Sequence, residues 1–400
     1  MIRFWVSTLF ILLITVVASA SVFSGQGIGI PLMNAMGAAP GRAGLGLAAY
    51  DSTGINVDQP ASAAEFKDVH VSFTGITQNR TLSDHYGNTE SQGEFQFGGF
   101  AISFPLYNHW RSGLVVEPYA LTNFKTVSAE TLEANPYTLK LNGSGGLTRY
   151  GVVTSVETGQ WRFGLEVGAL GGSINNGWQA YFTGDSGYYD GWFTVNRQML
   201  GVYARPGIIL DLDSNRYSLS AQTPSRLTVR EETRFALSDR VDGLNTRFET
   251  PWTVQGGYAH QFNYWQAGVD FKWSQWSAVH SSYFRQQPVD EIGGGVWLEH
   301  PGKNGLAMPY WTKMSWRGGL QYRVLPTLTT NGAQVKEMTT AVGITLPTTQ
   351  ANDFLYLSAG YTVRGDKSLN LVQENVFWTA ISVSLSEKWF QRQEQTRRRK

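Results

Sequence analysis

The sequence predicts an all-β protein: a transmembrane antiparallel β-barrel of about fourteen strands with an N-terminal plug. Three observations predict it. Short segments along most of the chain alternate apolar and polar side chains, with aromatic residues at the ends of the apolar faces. The 400 residues include 44 Gly and 13% aromatics but only 16% charged residues, against ~25% charged in an ordinary soluble domain. The chain also opens with an export signal. Ample apolar surface argues against a disordered chain. The absence of Cys excludes a disulfide scaffold, thiolate metal sites and a Cys nucleophile.

Residues 1–20 read as a secretory signal peptide. Arg3 is the positive n-region, 4–17 are mostly apolar, and Ala18-Ser19-Ala20 is an A-x-A cleavage site before Ser21. The apolar run is short for a membrane anchor. Cleavage removes a single basic residue, Arg3, and leaves the remaining charges balanced. Balanced charge gives no support to a nucleic-acid partner. No later stretch reaches the ~20 apolar residues of a transmembrane helix. An exported chain of this kind is either soluble outside the cytoplasm or a membrane barrel.

Residues 21–66 are rich in small residues and show no clean alternation. They run through Gly25-Gln26-Gly27-Ile28-Gly29 and Ala38-Ala39-Pro40-Gly41-Arg42-Ala43-Gly44-Leu45-Gly46. Irregular backbone cannot face lipid. With Met33, Met36, Leu45, Leu47, Ile55 and Val57, the segment is too apolar for a free leader. It is expected to fill a lumen as a hatch.

Residues 67–390 carry the barrel pattern. Trp265, Ala267, Val269, Phe271 and Trp273 share one face, and Gln266, Gly268, Asp270, Lys272 and Ser274 the other. The same period holds over 161–169, 316–324 and 377–385. A soluble β-sandwich also alternates, so the aromatic placement decides. Trp265 and Trp273 lie eight steps apart, roughly 26 Å along a strand at about 3.3 Å per residue. A tilt of ~40° gives roughly 20 Å of height, close to the ~25 Å apolar band of an outer-membrane barrel. Strands are expected at 69–78, 93–104, 111–121, 147–157, 161–170, 198–212, 252–261, 263–275, 315–324, 338–346, 354–364 and 375–386. Two more are expected within 174–195 and 216–250. Segments 126–146 and 277–312 are expected to be extracellular loops. Small inward residues such as Gly164, Gly168 and Gly268 leave space inside.

The last strand carries Phe377, Ile381, Val383 and Leu385 on one face and closes with Trp389 and Phe390. It is the expected signal for the barrel assembly machinery. Residues 391–400 add a basic, solvated periplasmic tail ending Arg397-Arg398-Arg399-Lys400.

On these residues the chain resembles the FadL-like outer-membrane transport proteins, in the branch that includes PorV-like barrels. The matching residues are Gly41-Arg42-Ala43-Gly44-Leu45-Gly46, Asp51-Ser52-Thr53-Gly54-Ile55 and Gln59-Pro60-Ala61, where the family usually has Asn-Pro-Ala. Further matches are Gly143-Ser144-Gly145-Gly146-Leu147, Asp270 with Trp276-Ser277, Arg364-Gly365 with Gln373-Glu374-Asn375, and Glu387-Lys388-Trp389-Phe390. The resemblance implies a fourteen-stranded barrel whose hatch includes Arg42, Gly44 and Gly46. It implies passive uptake of hydrophobic small molecules, long-chain fatty acids or hydrocarbons, with release into outer-membrane lipid through the wall near the third strand. A PorV-like escort for secreted proteins, working with secretion-system proteins, is the alternative. Pro118 in the third strand removes a ladder N–H, which a closed wall tolerates only at a bulge or break. Pro118 and Gln59-Pro60-Ala61 are expected to meet at that opening, unless Pro118 merely ends its strand at the rim.

No enzyme, cofactor or metal site is expected. Gly184-Asp185-Ser186-Gly187 resembles a serine-protease nucleophile segment, but the six His residues stand in no partner motif. Gly44-Leu45-Gly46-Leu47-Ala48-Ala49 lacks the preceding strand of a dinucleotide site. Residues 211–222 have Arg216 and Gln222 where a calcium loop needs Gly and Glu. Inward charges at Arg162, Glu166, Asp270, Lys272, Arg317 and Arg323 are expected to neutralise one another across strands.

Overall fold

The structure is a computed structural model. It describes residues 21–387 apart from 52–53, 108, 134, 183–187, 237–240, 244, 303–307 and 349–352. The export signal, Ser52, Thr53, Ser186, Trp389, Phe390 and the basic tail lie outside the described residues.

Fourteen antiparallel strands form one closed wall. They are β1 (Val69–Asp84), β2 (Thr89–Tyr107), β3 (Trp110–Leu132), β4 (Asn135–Thr158), β5 (Trp161–Phe182) and β6 (Gly191–Leu212). Two broken strands follow: β7 (Asn215–Gln222, then Arg226–Phe235) and β8 (Thr246–Glu249, then Thr253–Phe262). The rest are β9 (Trp265–Ser274), β10 (Glu291–His300), β11 (Ser315–Leu328), β12 (Gln334–Pro347), β13 (Phe354–Asp366) and β14 (Val372–Glu387). The ring closes where β14 pairs with β1, from Val372 opposite Asp84 to Glu387 opposite Val69. Each half of β7 pairs with its own part of β6. Each half of β8 likewise pairs with one half of β7.

The alternation follows the sequence. On β9, Trp265, Val269 and Phe271 are exposed outward, while Gln266, Gly268 and Ser274 are buried inward. On β14, Phe377, Ile381, Val383 and Leu385 are exposed, alternating with buried Trp378, Ala380, Ser382 and Ser384. Tyr107, Trp110, Trp161, Trp265 and Trp316 are all outward and exposed beside the turns at the end where the chain termini meet the barrel. Aromatic rings of this kind suit a membrane–water interface.

The strand count agrees, but three placements differ. Residues 126–146 are not a loop; they continue β3 and β4 as a paired hairpin, Thr126 opposite Leu141. Both faces of this outer hairpin are largely exposed, so no apolar face marks it. Residues 277–312 are not one loop. They contain β10, whose outward Ile292, Val296 and Leu298 are interrupted at Gly294 by the Gly293-Gly294-Gly295 run. Among the described residues of 174–195 there is no separate strand; they belong to the outer part of β5 and the start of β6, with the connection between them.

Candidate functional site

The described part of residues 21–66 is mostly buried and lies against inward-facing side chains of the wall. A two-residue strand, Ile30–Pro31, pairs with β3 at Leu121 and Ala120. A 3-10 turn, Pro60–Glu65, packs on β4, β5 and β6. The glycine space is used for close approach. A Cβ on Gly164 would strike the backbone of Pro60 and Ala61, and one on Gly319 would strike the Arg42 carbonyl. Gly268 is different, since the Trp297 ring fills its space.

Ion pairs tie the segment to the wall. Arg42, 3% exposed, donates through Nε to Glu299 of β10 at 2.7 Å, and Glu299 also meets Arg317 of β11 at 3.2 Å. Asp58 meets Arg205 at 3.0 Å and Arg149 at 3.5 Å. Burial works against the Asp58 carboxylate, but Arg149 and Arg205 hold it below the usual range. Glu65 pairs with Arg216 at 2.8 Å, yet burial still pushes its carboxyl above the usual range. Glu374 of β14 accepts from Ser21 Oγ at 2.6 Å and from the Val22 N–H at 3.1 Å. Asp270 accepts from the Gly46 and Leu47 N–H groups. Positive φ at Gly44 (+80°) and Gly46 (+109°) turns the backbone so that those amides reach it.

The wall charges pair among themselves. Glu337 is held at 2.6 Å by both Arg323 and Arg364, Glu291 meets Lys272 at 3.0 Å, and Glu166 meets Arg205 at 2.5 Å. Arg162 pairs with Glu157 at 3.2 Å and with Asp211. Of the inward charges singled out in the sequence, Arg162, Glu166, Lys272, Arg317 and Arg323 are neutralised across neighbouring strands, whereas Asp270 is held by backbone amides of the N-terminal segment instead. Asp58 and Glu65 were missed as partners, because their arginines lie far away in sequence.

Gln59-Pro60-Ala61 and Pro118 are linked at one remove, since Arg149 and Arg205 each meet both Asp58 and Glu117. Gln59 is fully buried and donates to the carbonyls of Ile208 at 3.2 Å and Leu219 at 3.1 Å, on β6 and β7. Pro118 lies on β3, beside Leu32, Met33, Asn34 and Ala35. It is not at the rim, since β3 continues to Leu132.

The ladder between β2 and β3 stops at Phe100 opposite Val116. Just beyond, both strands carry an irregularity. The β1–β2 register shifts around Gly98, and the β3–β4 register shifts between Pro118 and Ala120. A bulge bends its strand, so two facing bulges part β2 from β3 and leave a seam. A cavity of about 100 Å³ lies against it, with Leu32, Met33, Pro118 and Trp378 in its lining beside the charged Glu117, Arg323 and Arg364. A second cavity, of about 70 Å³, is more polar, with Asp58, Arg149, Gln222, Asp270 and Lys272 in its lining.

Toward the end away from the termini, an apolar cluster fills the lumen. It joins Ile28, Leu147, Leu170, Met199, Phe248 and Trp276. Loop 275–290 caps it: the Tyr283 carbonyl accepts from the Gly27 N–H at 3.0 Å, and Phe284 packs against the cluster and over Gly27. Sequence reasoning placed Trp276 only as a family match. A Ser–His contact does occur, Ser384 with His70, but the side chains are 0% and 2% exposed and sealed between β14 and β1.

The family model of BamG matches residues 1–395. Three solved structures share the fold over nearly their whole length. A Pseudomonas aeruginosa FadL homologue is 11% identical, with a TM-score of 0.60, 90% of this chain and 99% of that one covered. The Ralstonia pickettii toluene transporter TbuX is 15% identical, with a TM-score of 0.58, 91% and 100% covered. The Pseudomonas putida toluene transporter TodX is 15% identical, with a TM-score of 0.53, 92% and 97% covered. At these identities the likeness establishes the barrel fold. No curated protein matches the chain.

Proposed function

The chain belongs to the BamG family and has the FadL-type barrel, and from that premise we propose that it is an outer-membrane channel for passive uptake of hydrophobic small molecules. The observation that carries this reading is the seam between β2 and β3, which lies beside a cavity of mixed lining whose apolar part is Leu32, Met33, Ile76, Pro118, Val376 and Trp378. Similar structures described as toluene transporters support a hydrocarbon cargo. The apolar cluster under loop 275–290 would capture the solute, and residues 21–66 would act as the hatch that keeps water-soluble molecules out. Release would be lateral. Each CH₂ gains about 0.8 kcal/mol on leaving water for hydrocarbon, so a side exit into lipid avoids the aqueous periplasm. Export by residues 1–20 and reading of β14 by the barrel assembly machinery complete the proposal.

Pro118→Val tests it. Valine restores the amide and allows the β2–β3 ladder to lengthen, so uptake of an apolar probe into vesicles should slow. Unchanged uptake by the folded variant counts against lateral release.

A further inference from the structure

Above the seam, β3 has a free edge. Residues 124–132 pair with β4 on one side, from Phe124 opposite Gly143 to Leu132 opposite Asn135. On the other side, the ladder to β2 has already ended at Val116. The β2 residues opposite the start of this stretch, Thr89 to Gly93, form their ladder with β1, and Glu90 and Gln92 line a small cleft with Lys125.

Part of this edge is already occupied by added backbone. Residues 21–32 lie along it: Leu32 N–H donates to the Tyr119 carbonyl at 3.0 Å, Ile30–Pro31 pairs with Leu121 and Ala120, and Ser21 N–H donates to the Asn123 carbonyl. Ser24 Oγ caps Asn123 as well, accepting from its N–H at 3.0 Å. The cover stops at Asn123. Strand period two then fixes which groups remain. Backbone groups of Tyr119 and Asn123 face the seam, so those of Lys125, Val127, Ala129 and Thr131 do too.

Natural edge strands are blunted by prolines, bulges, charges or shortness. Residues 126–129 read Thr-Val-Ser-Ala, with no Pro, Gly or charge. The register with β4 is unbroken here. Val127 is 57% exposed. Lys125 and Glu130, also exposed, put this stretch in water rather than lipid. An edge in that setting satisfies its backbone specifically only with another backbone.

We infer that residues 124–132 of β3 are a docking edge for an extended segment of a partner polypeptide, added antiparallel to β3 in continuation of the chain's own Ile30–Pro31 strand. The edge lies farther from the termini end than Pro118, outside the proposed exit. Docking therefore stands or falls independently of solute uptake.

The test uses the full protein in lipid nanodiscs. The probe is a fluorescent peptide of alternating Thr and Val with Lys at both ends, and a copy N-methylated at every second amide. The parent peptide should bind saturably and slow amide exchange across 124–132. The methylated copy should bind at least about tenfold more weakly, the effect of losing two or more backbone hydrogen bonds. Val127→Pro with Ala129→Pro removes seam-side donors only and should match that loss, while Val127→Ala should not. Equal binding of the two peptides, protection confined to loop 275–290, or no binding in nanodiscs would each overturn the inference. The methylated peptide on the unaltered protein keeps the test decisive if the proline variant does not fold.

Discussion

Arg42 and Glu299 form a buried ion pair, Nε to Oε2 at 2.7 Å, that joins the N-terminal segment to the inner wall 257 residues later. Arg42→Ala leaves Glu299 with Arg317 alone. The segment should then release from the wall at lower denaturant, by about 2–3 kcal/mol. Protease access to residues 21–66 during a urea titration measures it. An unchanged midpoint would show that the pair does not hold the segment.

Gly164 gives a steric counterpart. A valine there has nowhere to go but into the Pro60–Ala61 backbone. Gly164→Val should unseat the Pro60–Glu65 turn and let a small polar dye escape faster from loaded vesicles, with the strand content by circular dichroism unchanged. Dye retention equal to the parent protein argues against a hatch.

Asp58 predicts a pH dependence. Its folded pKa lies below the ordinary ~3.9, so its stabilisation is present above that value and is lost as pH falls through the folded pKa. Seating of residues 21–66 should hold at pH 5 and loosen below about 4. Asp58→Asn should lower seating at pH 7 and flatten the acid-side fall. The same protease assay run against pH decides it.

The lipid-facing wall predicts a different cost. Ile381 is outward and half-exposed in the apolar band. Ile381→Arg should destabilise the folded barrel by about 2–4 kcal/mol if it sits near the bilayer midplane, read from reversible refolding into lipid. A loss below about 1 kcal/mol would place this face at an interface.

How much of this was legible depended on what each residue touches. In β9 and β14 every second side chain meets hydrocarbon, so the sequence shows a period of two that needs no tertiary information. Where β3 and β4 rise clear of the apolar band, both faces are exposed, and Thr126 to Leu141 carries no such mark. β10 was hidden for another reason: its three consecutive glycines interrupt the alternation, Gly295 leaving space for Leu45. Small residues and irregular backbone marked residues 21–66 as a segment outside the wall pattern. Its anchors were not legible, because Arg42–Glu299 and Asp58–Arg205 pair residues that only barrel closure brings together. Pro118 marked the register shift in β3, but nothing in the sequence showed that Gln59 would hydrogen-bond to β6 and β7.

The lateral exit is tested most directly by bridging the seam. Asn123 Nδ2 reaches Glu94 Oε1 across it at 3.2 Å, and the chain has no native Cys. With Glu94→Cys and Asn123→Cys joined by a short reducible bismaleimide, uptake of a radiolabelled monoaromatic hydrocarbon into vesicles should fall several-fold and recover on reduction. Equal rates before and after reduction, with crosslinking complete by mass spectrometry, would contradict the account.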